Sequence, residues 1–209
     1  MMLMKKTVRS FVTELASDSA APGGGSAAAL AGCLGAALTK MVCSLSLDEE
    51  KFKQVLPEIQ EIQAQTSTLL EKLMLAVDED AQAFNEVMNA YKLPKADEAE
   101  KAIRLETIQQ AMKKAALLPL GVAGDCLEAL KLAHRILPIG NANAASDAAV
   151  AGLMAYAAIQ GALFNVKINL GFIKDTEFCT ETRDLIAEIT SEAKKENAAM
   201  EAAVAKIFP

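Results

Sequence analysis

Three stretches of the chain carry polar side chains where helix periodicity calls for apolar ones. The first is AVDEDAQAFNEVMNAYK, residues 76–92. Val77, Phe84, Val87 and Tyr91 recur at helical spacing, and Asp80 falls inside their stripe. An inward carboxylate is costly unless paired or hydrogen-bonded. Burial also raises its pKa, which suits a general acid or base near neutral pH. Asp80 is therefore either such a group or half of a salt bridge to a basic residue on a neighbouring helix. Asp78, Asn85 and Lys92 recur about two turns apart on the adjacent face, either edging the same cleft or facing solvent.

The second stretch is GNANAASDAAVAG, residues 140–152. Asn143 or Ser146 is placed to cap a helix, and Asp147 falls in its first turn, where a carboxylate complements the helix dipole. Capping alone does not account for Asn141, Asn143, Ser146 and Asp147 together, ahead of a helix that is otherwise uncharged. The third stretch is ALFNVKINLG, residues 162–171, where Asn165 and Asn169 lie one turn apart around Lys167. Asp147 and Asn165 share a helix face but sit about 27 Å apart at 1.5 Å per residue. They bind opposite ends of a long ligand, or each joins a site completed by another helix or subunit.

A fourth stretch, SAAPGGGSAAALAG at residues 19–32, resembles a linker or a phosphate loop at first sight. No Gly-Lys-Ser/Thr follows the glycines and no strand–turn–helix context surrounds them, so neither a P-loop nor a dinucleotide fold is supported. It reads as a proline-set turn whose glycines permit positive φ and close backbone approach. The turn delivers the amides of Gly24, Gly25 and Ser26 to a helix N-terminus, where they can meet an anion. The chain contains neither GxSxG nor HExxH. Its single histidine, His134, cannot build a His-based metal site alone; no metal is expected.

The elements that must position these groups are helices. Of 209 residues 52% are hydrophobic but only 4% aromatic, with no tryptophan. Such a core is built from Ala, Leu, Val, Ile and Met, which favours an all-α fold over a sheet. One domain, residues 1–209, is expected: an up-and-down bundle of long, Ala-rich, closely packed helices. Thr7 caps a short helix to Ser17 with Phe11, Val12 and Leu15 inward. Further helices are expected over about 25–46, 49–93 and 97–137, then to about Asn169, and over 175–206. Pro57 is tolerated near a first turn or at a kink, and Pro119 is expected to kink or split its helix. Ala28, Gly32, Gly35 and Ala36 recur so that a neighbouring helix can pack closely.

A net charge of −6 without a basic run excludes a nucleic-acid footprint. Cys33, Cys43, Cys126 and Cys179 form no CxxC and read as reduced core residues of a cytosolic protein. The start, MMLMKKTVRSF, lacks the apolar core of a secretory signal. Two uncharged stretches, between Asp18 and Lys40 and between Asp147 and Lys167, are Ala/Gly-rich and suit buried helices better than membrane spans.

Together, FVTELASDSAAPGGGSAAALAGCLGAALTKMV, VDEDAQAFNEVMNAYKLPK and GNANAASDAAVAGLMAYAAIQGALFNVKINL resemble the formimidoyltetrahydrofolate cyclodeaminase / methenyltetrahydrofolate cyclohydrolase family over nearly the whole chain. The resemblance implies an all-α homodimer acting on a tetrahydrofolate derivative as substrate, with no further cofactor. Without a formiminotransferase half, the chain resembles a single-function enzyme, and cyclohydrolase is favoured over cyclodeaminase. On this reading Asp80, with Asp147 as a second candidate, moves the proton and stabilises the cationic carbon. Asp78, Asn85, Asn143, Asn165 and Asn169 suit the donor and acceptor edge of a pterin. Lys167, or the amides at Gly24, Gly25 and Ser26, would meet the carboxylates of the glutamate tail.

Overall fold

The computed structural model describes residues 2–208. Among these residues there are six α-helices: α1 (Val8–Leu15), α2 (Gly24–Ser44), α3 (Leu56–Tyr91), α4 (Glu98–Ile136), α5 (Ala145–Leu170) and α6 (Thr176–Ile207). Short 3-10 turns, Leu3–Lys5 and Ala142–Ala144, precede α1 and α5. Among the described residues there is no strand.

Local chemistry sets the helix ends. Thr7 accepts from the Ser10 amide to start α1, Asp97 from the Glu100 amide to start α4, and Asp175 from the Phe178 amide to start α6. Glu100 in turn accepts from the Ala96 amide at 2.7 Å, as in a capping box. Helix α3 begins later than position 49. The Asp48 carboxylate accepts from the Glu50 and Lys51 amides and holds that segment as a turn, and Pro57 falls in the first turn of α3. Neither Asn143 nor Ser146 caps α5; Asn141 instead accepts from the Asn143 amide and shapes the 3-10 turn. Asn141 also ties this turn to the end of α2, through the Ser46 hydroxyl and the Leu45 carbonyl.

Pro119 does not split α4, which runs through it as one helix of 39 residues. A proline here leaves the carbonyl four residues earlier, on Ala115, without its helical donor. The side-chain amide of Asn169 fills that position at 2.7 Å.

Helices α2 to α6 alternate in direction along the chain. The Ser44–Gln63 and Ser26–Asp80 hydrogen bonds set α2 antiparallel to α3. Ion pairs Arg135–Glu58, Lys72–Asp125 and Lys114–Glu86 do the same for α3 and α4. Helix α6 runs parallel to α4, joined by Lys113–Asp175, Lys131–Glu192 and His134–Glu196. Helix α2 packs backbone-close against α5: a Cβ on Gly35 would lie 2.9 Å from the Ala151 carbonyl oxygen and 3.2 Å from the Ala155 nitrogen. This is the close approach expected from the small-residue repeat of α2.

The core between them is largely alanine, with Ala29, Ala36, Ala123, Ala148, Ala155, Ala158 and Ala162 fully buried. All four cysteines are free and buried. Burial pushes the Cys33 and Cys43 thiols up to about 12 and about 11, so they stay neutral packing residues. In α1, Phe11 is buried and Leu15 half-buried, but Val12 is 55% exposed rather than inward. Helix α2 and the segment Ala142–Leu170 are long and apolar enough to cross a membrane, yet 56% and 44% of their apolar windows are already buried within the chain. What remains exposed is Leu34 and Met41 on α2 and Val150, Leu153, Phe164 and Ile168 on α5.

Candidate active site

At the end of the bundle where α2 begins and α5 ends, a cavity of about 430 Å³ opens beside Asp80. The chain reaches it through the loop after α1, where Ala20, Ala21 and Gly23 form one wall. Helix α2 supplies Gly24 and Gly25, α3 supplies Phe84, Val87, Met88 and Tyr91, and α4 supplies Met112 and Ala115. Asn165, Asn169 and Phe172 close the far side.

Asp80 sits where the α2 helix end meets α3. Its Oδ2 accepts from the Ser26 hydroxyl at 2.8 Å. Burial pushes its carboxyl above the usual carboxylate range, and the Ser26 hydroxyl and backbone N–H pull it partway back. No lysine or arginine among the described residues bridges to it. The salt-bridge alternative is thereby removed, and the acid–base alternative keeps a half-buried carboxylate open to a ligand-sized space.

The approach of α2 to Asp80 depends on Gly25. A Cβ there would lie 2.0 Å from Oδ1 and 2.6 Å from Cγ of Asp80. Positive φ is not the reason for the glycine run, since no described glycine adopts it; close approach is. The first intrahelical bond of α2 comes from the Ala27 amide to the Gly23 carbonyl. The amides of Gly24, Gly25 and Ser26 therefore point out of the positive helix end.

Asn165 and Asn169 are held by their amide nitrogens, on the Gly161 carbonyl at 2.8 Å and the Ala115 carbonyl at 2.7 Å. Both residues line the cavity, and neither side-chain oxygen receives a donor among the described residues. Gly24 packs against Asn165, its would-be Cβ 3.5 Å from the amide nitrogen.

The cavity thus gathers Gly24, Gly25, Asp80, Asn165 and Asn169, with Ser26 behind them. It does not gather the others. Asp78 is buried and accepts from the Leu3 backbone N–H. With Asn85 it lines a separate cavity of about 410 Å³ under the N-terminal segment, beside Lys6 and Glu14. Lys6 and Glu14 form an ion pair. Lys167 is exposed, its ammonium 5.6 Å from the Phe164 ring centre. Asn143 is exposed and Asp147 half-buried at the opposite end of α5. Met112, Ala115 and Phe172 line the site without having been legible in sequence: α4 carries no polar marker there, and Phe172 lies beyond the helix. Among the described residues, no three His, Cys, Asp or Glu side chains converge as a metal site would require.

A carboxylate with a raised pKa, two anchored asparagines and aromatic walls can move one proton on a flat, polar-edged ligand.

Residues 7–188 match the family described as formiminotransferase-cyclodeaminase. The chain is 38% identical over 188 residues to a methenyltetrahydrofolate cyclohydrolase of Methylorubrum extorquens, covering 90% of both chains. It is also 38% identical over 200 residues to the formimidoyltransferase-cyclodeaminase of Gallus gallus, covering 94% of this chain and 36% of that longer protein. The crystal structure of formiminotetrahydrofolate cyclodeaminase from Thermotoga maritima superposes with a TM-score of 0.87 at 26% identity, over 98% of each chain.

Proposed function

Because this chain belongs to the formiminotransferase-cyclodeaminase family, we propose that it is a folate one-carbon enzyme that hydrolyses 5,10-methenyltetrahydrofolate to 10-formyltetrahydrofolate. The observation that carries the reading is Asp80: a half-buried carboxylate, held by Ser26 and without a lysine or arginine partner among the described residues, on a cavity sized for a pterin. Similarity across 90% of both chains to a cyclohydrolase supports the choice of reaction.

The substrate's electrophilic carbon lies between N5 and N10 and shares the cationic charge with them. Water adds to that carbon while the Asp80 carboxylate takes one of its protons. The tetrahedral adduct then breaks its bond to N5, and Asp80 returns the proton to that nitrogen. The adduct's hydroxyl gives up its own proton to solvent as the carbonyl forms, so the net change is one water consumed and one proton released, with the formyl group left on N10. The negative form of Asp80 also stabilises the cationic carbon. Phe84, Tyr91 and Phe172 offer faces for the pterin and the aryl ring, and Asn165 and Asn169 offer acceptors to pterin N–H groups. The open amides of Gly24 and Gly25 suit an anionic or carbonyl group of the ligand.

A second reading, formimidoyltetrahydrofolate cyclodeaminase, is favoured by the superposition on the Thermotoga cyclodeaminase. There N10 attacks the formimino carbon and ammonia leaves after protonation, which the same carboxylate can perform. The enzyme works as a homodimer through the exposed apolar residues of α2 and α5, in the cytoplasm, on a folate ligand and neither nucleic acid nor membrane.

Purified protein incubated separately with the two substrates distinguishes these readings. Loss of methenyl absorbance without ammonia is the expected result. Ammonia release from the formimino substrate would select the second reading, and turnover of neither would sink both.

A further inference from the structure

The cavity beside Asp80 runs along α3. Asp80, Phe84, Val87 and Tyr91 all line it, and Tyr91 lies eleven residues after Asp80, about 16 Å at 1.5 Å per residue. The two ends differ in chemistry. The Asp80 end holds a half-buried carboxylate, the Gly24 and Gly25 amides and Asn165. The other end is open, with Tyr91 40% and Phe172 55% exposed, and a cation stands over it. The half-buried Arg104 of α4 donates from Nε and Nη2 to the Tyr91 carbonyl, at 3.3 and 3.0 Å. Its guanidinium lies 5.6 Å from the centre of the Tyr91 ring. Arg104 differs from the other lysines and arginines of α4. Lys101, Lys113, Lys114, Lys131 and Arg135 each pair with a carboxylate. Arg104 pairs with none among the described residues, and Glu100, one turn before it, already accepts from the Ala96 amide. Two bonds to one neutral carbonyl fix the guanidinium without neutralising it, and Nη1 is left to meet an anion.

We propose that Arg104 is the residue that reads the glutamate end of the folate: the p-aminobenzoyl arm runs from Asp80 along α3 to Tyr91, and a glutamate carboxylate takes the free side of the guanidinium. The proposal rests on the folate reading above and fixes which way the ligand lies. The extended arm, from the reacting carbon to its terminal carboxylates, is comparable in length to that run of helix. The polar pterin edge then falls among the amides and Asn165, and the aryl ring falls between Tyr91 and Phe172. Lys167, the cation expected from sequence for this task, does not line the cavity. The rim opposite Arg104 is fixed by the same helix. Gln109 donates to the Phe172 carbonyl at 3.0 Å and accepts from the Lys174 amide at 2.7 Å. Both aromatic lips are thus held before the ligand arrives, so little ordering cost falls on binding. A preset guanidinium in a chain of net charge −6 gives a carboxylate a charge-assisted bond at the one open end of the cavity.

The test pairs a change in the substrate with a change in the residue. 5,10-Methenyltetrahydrofolate is compared with 5,10-methenyltetrahydropteroate, which lacks the glutamate. The proteins are wild type, Arg104→Ala and, as a control, Arg135→Ala near the other end of α4. In Arg104→Ala, KM for the folate should rise about tenfold with kcat within a few-fold, while KM for the pteroate stays put. An equal rise for both substrates would mean that Arg104 acts only by holding Tyr91, and would overturn the proposal. So would an unchanged KM for the folate, or the same selective loss in Arg135→Ala. Binding without turnover separates this from the assigned reaction. 5-Formyltetrahydrofolate and its pteroate counterpart, titrated calorimetrically, should show the same selective loss in the Arg104 variant, about tenfold in Kd. A protein with that selectivity that turns over no folate keeps the subsite and refutes the reaction. A protein that hydrolyses the methenyl substrate without it keeps the reaction and refutes the subsite, and binding of neither ligand would sink both.

Discussion

Asp78 and Asp80 stand two residues apart on one helix, both next to cavities of similar size, and have opposite fates. Asp78 is almost fully buried and spends its carboxylate on the Leu3 backbone N–H, where it fastens the N-terminal segment. Asp80 is less buried, is held by one serine, and keeps an oxygen against a space lined by aromatic and amide side chains. Burial alone therefore does not mark a reactive group. The distinguishing features are incomplete satisfaction by the protein and a neighbouring backbone brought close by a glycine.

Substitutions can break or sharpen that contrast. The largest effect is expected from Asp80→Asn, which should lower turnover on the order of 10²–10⁴-fold with folate binding retained. The same variant should melt higher than wild type at neutral pH. Burial raises the Asp80 carboxyl in the folded protein, so folding favours its protonated form. Stability is then fullest below the ordinary carboxylate range and falls as pH rises through the folded value. Asparagine removes that loss, and the gap in melting temperature should close in acid; a Tm difference that does not change with pH would contradict the assignment. Gly25→Ala comes next, since its Cβ displaces the Asp80 carboxylate. Turnover should drop on the order of tenfold to a hundredfold, with about 1–3 kcal/mol lost in denaturant melts. Asp78→Ala should cost about 1–3 kcal/mol by stranding the Leu3 amide, while kcat and KM stay within a few-fold. Loss of turnover in a folded Asp78→Ala protein would erase the contrast. The mildest is Ser26→Ala, which removes a hydroxyl that lowers the Asp80 pKa. The acid limb of its pH–rate profile should move to higher pH, with a few-fold lower rate at neutrality.

Much of this was legible because helix periodicity is a strong signal and caps are local. Thr7, Asp97 and Asp175 mark their helix starts by residue type, and the structure agrees. Asp80 is legible as a carboxylate inside an apolar stripe. Two of that stripe's members, Phe84 and Tyr91, are exposed because they line the cavity rather than the core. The segment around Asp48 reads as a turn in sequence, but α3 starts at Leu56 rather than near 49, because the turned segment runs on through residues whose composition already permits a helix. Sequence left a kink and a split open at Pro119; the structure has one helix there, and the donor that replaces the lost hydrogen bond, Asn169, is supplied by another helix and so is not legible locally. Asp78 and Asn85 share a face with no visible barrier in sequence between them and Asp80; in the structure Leu3 docks on Asp78, and the loop after α1, whose Ala21 lines both cavities, lies between them.

The backbone-close seating of α2 on α5 also has a consequence for biosynthesis. Helix α2 is finished by Ser44, but its tightest partner is not complete until Leu170. On a ribosome adding roughly 5–20 residues per second, α2 must wait many seconds with its glycine–alanine groove uncovered. Helix α3 can hold one flank meanwhile, yet Ser26 and Asp80 meet Asn165 only after most of the chain has emerged. Truncated or stalled chains would display the apolar α2 surface without its cover, a state prone to aggregate until α5 arrives.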